Sequence, residues 1–137
     1  MKVKGCRIVN IPTHVEIDGT LLVVESGSEE IPFKIERLFW VKNVAAGKSR
    51  GDHATKITNL ILIPMSGSLD VLIDDGIEKD IVHLDNPSKG LYINAMIWRS
   101  MFNFSSDAVV LAIADQKFQP GNETYDDYKE FINTLGV

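Results

Sequence analysis

The sequence predicts an all-β sandwich or barrel that is covered by one C-terminal helix. Short segments rich in β-branched and aromatic residues recur along the chain, bounded by Gly, Pro, Ser or Asp. Two tight turns, MSGS at 65–68 and DDG at 74–76, separate such segments in the way that hairpin turns do. Only the final stretch, NETYDDYKEFINTLGV, places apolar residues at three- and four-residue steps, which indicates an amphipathic helix. Many short strands at regular spacing are typical of a sandwich or a barrel.

The individual elements follow from this pattern in chain order. The predicted strands are CRIVNI (6–11), TLLVVE (20–25), RLFWVKNV (37–44), TKITNLILIP (55–64), SLDVLIDD (68–75), IEKDIVHL (77–84), GLYINAMIWRSMFNFS (90–105) and AVVLAIAD (108–115). In the predicted helix, Thr124 with Asp127 approximates an N-terminal cap, and Gly136 suits the C-terminal stop.

Length and composition favour one soluble domain, residues 1–137. The single cysteine, Cys6, excludes an intramolecular disulfide and a Cys-rich zinc knuckle. The N-terminal segment MKVKGCRIVN has no long apolar core, and the longest apolar run, LILIPM, is far too short to span a bilayer. We therefore expect a cytoplasmic protein without a membrane partner. The net charge of −5 and the lack of a basic stripe argue against nucleic acid, but not against one anionic ligand held locally.

The stretch RGDHATK at 50–56 carries the candidate site. It places His53, a group that titrates near neutral pH, between Arg50 and Lys56 and just ahead of a long apolar run. The alternative is an ordinary, hydrogen-bonded histidine of the barrel. His53 and Thr55 are two positions apart, so on a strand both side chains point to one face. In a small β-barrel that face is the interior, where ligands bind.

The spacing around His53 resembles the first motif of the cupin superfamily. In that motif a glycine, an HxH pair, a glutamate and a second glycine recur at nearly the spacing of Gly47, His53, Thr55, Asn59 and Gly67. Metal-binding cupins use both histidines, the glutamate and a histidine of the second motif. Here threonine and asparagine stand at two of those positions, and GLYINAMIWRSMFN contains no histidine. Because this set is a poor one for a transition metal, no metal and no other cofactor are predicted.

A more specific resemblance covers roughly residues 35 to 115. The chain is similar there to the dTDP-4-keto-6-deoxyhexose 3,4-ketoisomerases, which are metal-free cupins of deoxysugar biosynthesis. The segments that carry this resemblance are, in order, IERLFWVKN, SRGDHATK, LILIPMSGSLDVLIDDG, NPSKGLYINAMIW and FNFSSDAVVLAIAD. The resemblance implies a cupin (jelly-roll-like) β-barrel, a homodimer, and a dTDP-linked keto-deoxyhexose as the substrate. It also implies a role in making surface glycans such as lipopolysaccharide.

The implied reaction moves a carbonyl from C4 to C3 of the sugar through an enediolate. A proton must leave C3 and another must reach C4, and a neutral imidazole suits both transfers near neutral pH. The family pattern is RGxHAHK, with two histidines credited with these transfers, whereas this chain has Thr55 at the second position. A threonine hydroxyl is not a general base near neutral pH. Either His53 alone carries the proton between the neighbouring carbons, or the barrel binds the nucleotide sugar with changed or lost chemistry.

Further candidates follow from the alternation of side chains along the predicted strands. Arg37 shares a face with Phe39 and Val41, which suggests a ligand-lined wall. Arg99 follows Trp98, so a tryptophan buried outside the pocket would direct the arginine inward, as an anion holder or an electrophile for the enediolate. Tyr92 is a candidate acid or hydrogen-bond donor to the sugar, with a core tyrosine as the alternative. The predicted site comprises catalytic His53 and Tyr92, and substrate-binding Arg37, Arg50, Lys56, Asn59 and Arg99.

Two other functions remain open from the sequence. One is 3,5-epimerisation of the same substrate class, which begins with the same proton abstraction next to a C4 ketone. It normally uses a His–Asp pair, and the sequence places no aspartate beside the far nitrogen of His53. The other is a non-catalytic cupin that binds a nucleotide sugar.

Overall fold

A computed structural model describes residues 1–136, so Val137 lies outside the described part of the predicted domain. The described residues form twelve strands and one helix. The strands are β1 (Cys6–Asn10), β2 (Thr13–Glu16), β3 (Gly19–Leu22), β4 (Arg37–Lys42), β5 (Arg50–Thr55), β6 (Leu60–Ser66), β7 (Leu69–Asp74), β8 (Lys79–Leu84), β9 (Lys89–Ile93), β10 (Trp98–Phe102), β11 (Val109–Ala114) and β12 (Thr124–Tyr125). The helix is α1 (Tyr128–Leu135), which ends the described chain.

Two five-stranded sheets and one hairpin account for these strands. The first sheet has the order β1-β9-β6-β11-β4 and the second has the order β12-β5-β10-β7-β8, while β2 and β3 pair only with each other. Neighbouring strands are antiparallel. The all-β, cupin-type fold with a short C-terminal helix is therefore confirmed. The barrel consists of two separate sheets and is not closed by hydrogen bonds within residues 1–136.

The main core is formed by aliphatic side chains that both five-stranded sheets direct inward. These include Leu62, Leu69, Val71, Ile73, Leu91, Ile93, Val110 and Ala112, each at most 3% exposed. A second cluster lies on the other face of the first sheet, where the chain between β3 and β4 packs against Ile61, Ile63 and Ile113. The first sheet is thus buried on both faces, which explains why LILIP in β6 is apolar at every position.

Helix α1 packs against the second sheet through one fully buried aromatic side chain. Phe131 is 0% exposed, and its ring packs against that of Trp98 at a centroid distance of 5.9 Å. Asp127 caps the helix by accepting hydrogen bonds from two backbone N–H groups of the first turn, and Gly136 ends it in the left-handed conformation. The C-terminal stop is as predicted, whereas the cap is Asp127 alone because Thr124 belongs to β12. No helix formed by residues 1–136 has the length and apolarity needed to cross a membrane.

Two predicted strands are each divided in the structure, and strand β2 is not predicted. The predicted strand 55–64 is really the end of β5, a turn, and β6; the segment 90–105 likewise contains both β9 and β10. Between β5 and β6, the Thr55 hydroxyl donates a hydrogen bond to the carbonyl of Thr58 in the turn that follows β5. Strand β2 is not predicted because THVE lacks the buried alternation of the other strands; all four residues are exposed. Its hairpin partner β3 overlaps the predicted strand TLLVVE.

Candidate active site

A cavity of about 410 Å³ opens between the two five-stranded sheets and contains most of the predicted site. Its walls are largely apolar, with side chains such as Phe39, Leu60, Leu62 and Met101. Its ionisable lining residues are Arg37, Arg50, His53, Arg99 and Glu123. An apolar cavity with a few converging polar groups is the usual form of a small-molecule site.

A β-bulge in β5 explains the sequence RGDH. Across the β5–β10 pair, Arg99 lies opposite His53 and Ser100 lies opposite Gly51, so Asp52 is the extra residue. Gly51 and Asp52 both have positive φ values, of 85° and 54°. Glycine adopts such a conformation without steric cost. The bulge allows strand β5 to present His53 to the cavity directly beside Arg99.

The environment of His53 keeps its imidazole neutral. Its side chain is 31% exposed. Burial, followed by the nearby positive charge of Arg99, lowers the pKa of His53 below its usual value, against a smaller opposing effect of nearby carboxylates. At neutral pH the ring is therefore able to accept a proton. The closest carboxylate, that of Asp126, lies 3.9 Å from Nδ1, which is too far for a hydrogen bond.

Arg99 is a buried cation with an unused donor. It is 2% exposed, and its Nε donates to the carbonyl of Ile97 while Nη2 donates to Thr55 Oγ1 at 3.2 Å. Nη1 is buried and has no hydrogen-bond partner among the described residues. Burial lowers the pKa of Arg99 to about 10, so the guanidinium remains charged at neutral pH. An unpartnered buried donor of a cation is costly, which is consistent with a site that receives an anionic ligand atom.

Thr55 accepts a hydrogen bond from Arg99 and takes no part in proton transfer. Its side chain points into the cavity, as the two-residue spacing from His53 predicts. The hydroxyl is occupied by two contacts, since it donates to the carbonyl of Thr58 at 2.7 Å and accepts from Arg99 Nη2. Thr55 therefore helps to fix the position of the Arg99 guanidinium.

Arg37 of β4 and Glu123, which directly precedes β12 beside β5, form an ion pair across the cavity. Arg37 Nη2 lies 2.7 Å from Glu123 Oε1, and the two side chains are 19% and 14% exposed. The Arg37 guanidinium also lies over the rings of Phe39 and Phe118, with distances to the ring centroids of 5.2 and 5.7 Å. The predicted shared face of Arg37, Phe39 and Val41 is confirmed, because all three line the cavity.

Three predicted site residues lie elsewhere. Tyr92 belongs to the second cluster, where it packs against Phe33 and beneath the Arg7 guanidinium; its predicted position beside the sugar is wrong. Leu91 and Ile93, its neighbours in β9, point into the main core, so alternation turns the tyrosine to the other face of the first sheet.

Asn59 and Lys56 also do not line the cavity, contrary to the expectation that they bind substrate. The Asn59 side chain donates to Asp115 and accepts from the backbone N–H of Ala95, so it fixes the turn that precedes β6. The Lys56 ammonium donates to Asn122 and lies 4.8 Å from the centroid of the Tyr125 ring. Both positions follow the end of β5, where the alternation used in the prediction stops.

Glu123 and Phe118 are two cavity residues that the sequence does not reveal. Both lie in the segment between β11 and the helix, which has little regular structure apart from β12. The ion pair of Glu123 with Arg37 spans 86 positions in sequence. No local pattern could have indicated such a contact.

Several proteins that are at least 26% identical to this chain are sugar 3,4-ketoisomerases (oxoisomerases). A curated relative from Aneurinibacillus thermoaerophilus, TDP-4-oxo-6-deoxy-alpha-D-glucose-3,4-oxoisomerase, is 30% identical over 133 residues, which is 96% of this chain and 95% of the relative. The structure of WlaRA, a TDP-fucose-3,4-ketoisomerase from Campylobacter jejuni, is 35% identical, with a TM-score of 0.88 and 94% of both chains covered.

A third similar protein is the sugar 3,4-ketoisomerase QdtA of Thermoanaerobacterium thermosaccharolyticum. A mutant of it, in complex with TDP-4-keto-6-deoxyglucose, is 26% identical to this chain, with a TM-score of 0.91. The alignment covers 96% of this chain and 94% of that one. The family model described as FdtA (WxcM-like, C-terminal) matches residues 4–136. A match over nearly the whole chain means that this protein belongs to the FdtA family.

Proposed function

We propose that the protein is a sugar-nucleotide 3,4-ketoisomerase that converts a TDP-4-keto-6-deoxyhexose into the 3-keto sugar. The observation that carries this proposal is the pairing, in one cavity, of a neutral imidazole with a buried guanidinium that has a free donor. The reaction needs a base for the proton on C3 and a positive group for the oxygen on which charge develops. His53 and Arg99 supply these two functions on adjacent strands.

The reaction divides between these two residues. His53 takes the proton from C3 as the C3–C4 double bond forms and the C4 carbonyl electrons move onto O4. Arg99 Nη1 stabilises the resulting enediolate oxygen in a largely apolar cavity, where a fixed charge acts more strongly than in water. When the carbonyl forms at C3, the same imidazolium returns a proton to C4. One base serves both carbons because they are adjacent in the ring.

Arg50 marks the direction in which the nucleotide extends. It lines the catalytic cavity and also a second cavity of about 600 Å³, whose walls include Lys42, Lys48 and Trp40. We propose that the diphosphate binds at this junction, because Arg50 can bind phosphate oxygens in a bidentate manner and two lysines add positive charge nearby. Arg37 faces the sugar from the other wall.

The two alternative functions have less support. An epimerase would need a His–Asp pair, and the carboxylate closest to His53, Asp126, is 3.9 Å away, 79% exposed, and bonded to Thr124. A binding module without chemistry would not require a buried arginine with an unpaired donor beside a neutral histidine.

Transfer of the carbonyl distinguishes the three functions. We expect TDP-4-keto-6-deoxyglucose that carries ¹³C at C4 to lose its carbonyl ¹³C resonance, which is replaced by that of a hydroxyl-bearing carbon. An epimerase would keep the labelled carbonyl and invert a neighbouring centre. A binding module would broaden or shift ligand resonances without any new product, and either of these results would overturn the proposed isomerase.

We also propose that the chain acts as a cytoplasmic homodimer in the synthesis of deoxysugars for surface glycans such as lipopolysaccharide. The β2–β3 hairpin supports a dimer, because it pairs with neither large sheet and exposes Val15, Ile17 and Leu21. Ile17→Asp is expected to shift the sedimentation coefficient from dimer to monomer, whereas Ile77→Asp, at an exposed turn, leaves it unchanged. A monomeric unmodified chain at micromolar concentration would contradict the dimer.

A further inference from the structure

The isomerisation requires a second proton transfer that His53 does not perform. Besides the carbon-bound proton, the hydroxyl proton on O3 must leave as C3 becomes a carbonyl, and O4 must gain a proton as C4 becomes an alcohol. In the family pattern a second imidazole is available for such work, but Thr55 in this chain has no group that titrates near neutral pH. Its hydroxyl is also engaged by Thr58 and Arg99.

Glu123 is the carboxylate that lines the catalytic cavity. Its side chain is 14% exposed, and among the described residues only its Oε1 has a side-chain hydrogen bond, from Arg37. The second oxygen, Oε2, accepts no hydrogen bond from another side chain within residues 1–136. An ionised carboxylate is an acceptor for a hydroxyl proton, and after protonation it becomes a donor.

The backbone around Glu123 is fixed against the strand that carries the catalytic histidine. Its carbonyl accepts a hydrogen bond from the N–H of Lys56 at 2.9 Å, and the next residue, Thr124, is the register partner of Thr55. These contacts fix the backbone of Glu123, and the ion pair to Arg37 fixes its carboxylate. Burial lowers the pKa of both His53 and Arg99, and the nearby negative charge of Glu123 partly opposes that lowering.

We infer that Glu123 is the second proton-transfer residue of this site and carries the hydroxyl proton from O3 to O4. This inference rests on the proposed isomerase function. After His53 has removed the C3 proton, the Glu123 carboxylate breaks the O3–H bond and forms an O4–H bond with the same proton. The negative charge then lies on O3, its electrons form the C3 carbonyl, and the C3–C4 double-bond electrons take the proton from His53 at C4. Every proton removed is returned, and no oxidant or reductant is needed.

The variant Glu123→Gln tests this role because glutamine keeps the size of the side chain and an acceptor for Arg37. In D₂O, His53 of the variant still forms the enolate on O4, but that enolate can only return to substrate, with deuterium at C3. We expect product formation to fall about 100-fold, as for loss of a positioned acid–base group. The ratio of C3-deuterated substrate to product should rise at least about tenfold. NMR of the C3 proton and of the product measures both quantities in one sample.

Glu36→Gln is the matched control, since Glu36 is also an ion-paired glutamate, bonded to Lys34, but lies outside the cavity lining. It should change neither quantity. If Glu123→Gln forms product at an undiminished rate, or loses exchange and product formation equally, the role of Glu123 is overturned while the isomerase function stands. If the unmodified chain neither exchanges nor converts the substrate, the isomerase function fails and the role of Glu123 fails with it.

Discussion

Replacement of His53 by asparagine is expected to lower kcat for 3-keto sugar formation at least about 100-fold, the effect of removing a positioned proton carrier. Asparagine is close to imidazole in size and retains a hydrogen-bonding group, but it does not accept a proton near neutral pH. Exchange at C3 in D₂O should fall by the same factor, because the first proton abstraction is lost. Calorimetric titration with TDP should give an unchanged Kd.

The pH dependence supplies a second measurement on the same residue. Because burial and Arg99 lower the pKa of His53, the imidazole becomes protonated only at acidic pH. The value of kcat/KM in the unmodified chain should therefore be constant near neutrality and decrease as the pH falls through this lowered pKa. His83→Asn is the matched control, since His83 is exposed and bound to Asp70 away from the cavity. An unchanged kcat in His53→Asn would exclude His53 as the base.

Replacement of Arg99 by methionine is expected to lower kcat about 10² to 10³-fold, the range measured when one oxyanion donor is removed. Methionine is a flexible apolar side chain that fills much of the same space, so the substitution leaves no large void. Arg37 Nε is also buried without a partner, but Arg37 is 19% exposed and ion-paired with Glu123. Among the described cationic residues of this cavity, Arg99 alone is as little as 2% exposed and keeps an unpartnered donor. The rate is best measured at alkaline pH, where His53 is neutral in both proteins.

A shift of the pH profile distinguishes this role from a purely structural one. Arg99 lowers the pKa of His53, so its loss should move the acidic limb of kcat/KM to higher pH. Arg7→Met is the control, because Arg7 stacks on Tyr92 on the other face of the first sheet. Full turnover by Arg99→Met would remove the arginine from the mechanism. A loss of rate that is matched by unfolding in circular dichroism would assign it to stability.

The parts of the fold that depend on local pattern were predictable from the sequence. The strands β7, β8 and β11 were found at nearly their true bounds because turn residues enclose short apolar runs. The inward position of Arg99 also followed from alternation, since the neighbouring Trp98 packs against Phe131 of the helix. Such predictions succeed where one face of a strand is buried in a single core.

Predictions failed where alternation is interrupted or where both faces are buried. Strand β5 ends at Thr55 and the turn after it breaks the period, so Asn59 and Lys56 lie outside the cavity that they are predicted to line. Tyr92 belongs to a sheet with an apolar cluster on each side, so alternation alone did not identify the cavity face. Glu123 approaches from a segment with little regular structure, and its position depends on a contact 86 residues away.

The central claim is that this site moves a carbonyl with one imidazole, that of His53. The most direct test is to incubate the unmodified chain with TDP-4-keto-6-deoxyglucose in D₂O and to follow the ring protons by NMR. The account predicts a 3-keto sugar that carries deuterium at C4, because the carbon that gains a proton receives it from His53, whose side chain is 31% exposed to the solvent. Tight binding of the nucleotide sugar, with every ring proton retained and no 3-keto product, would contradict it.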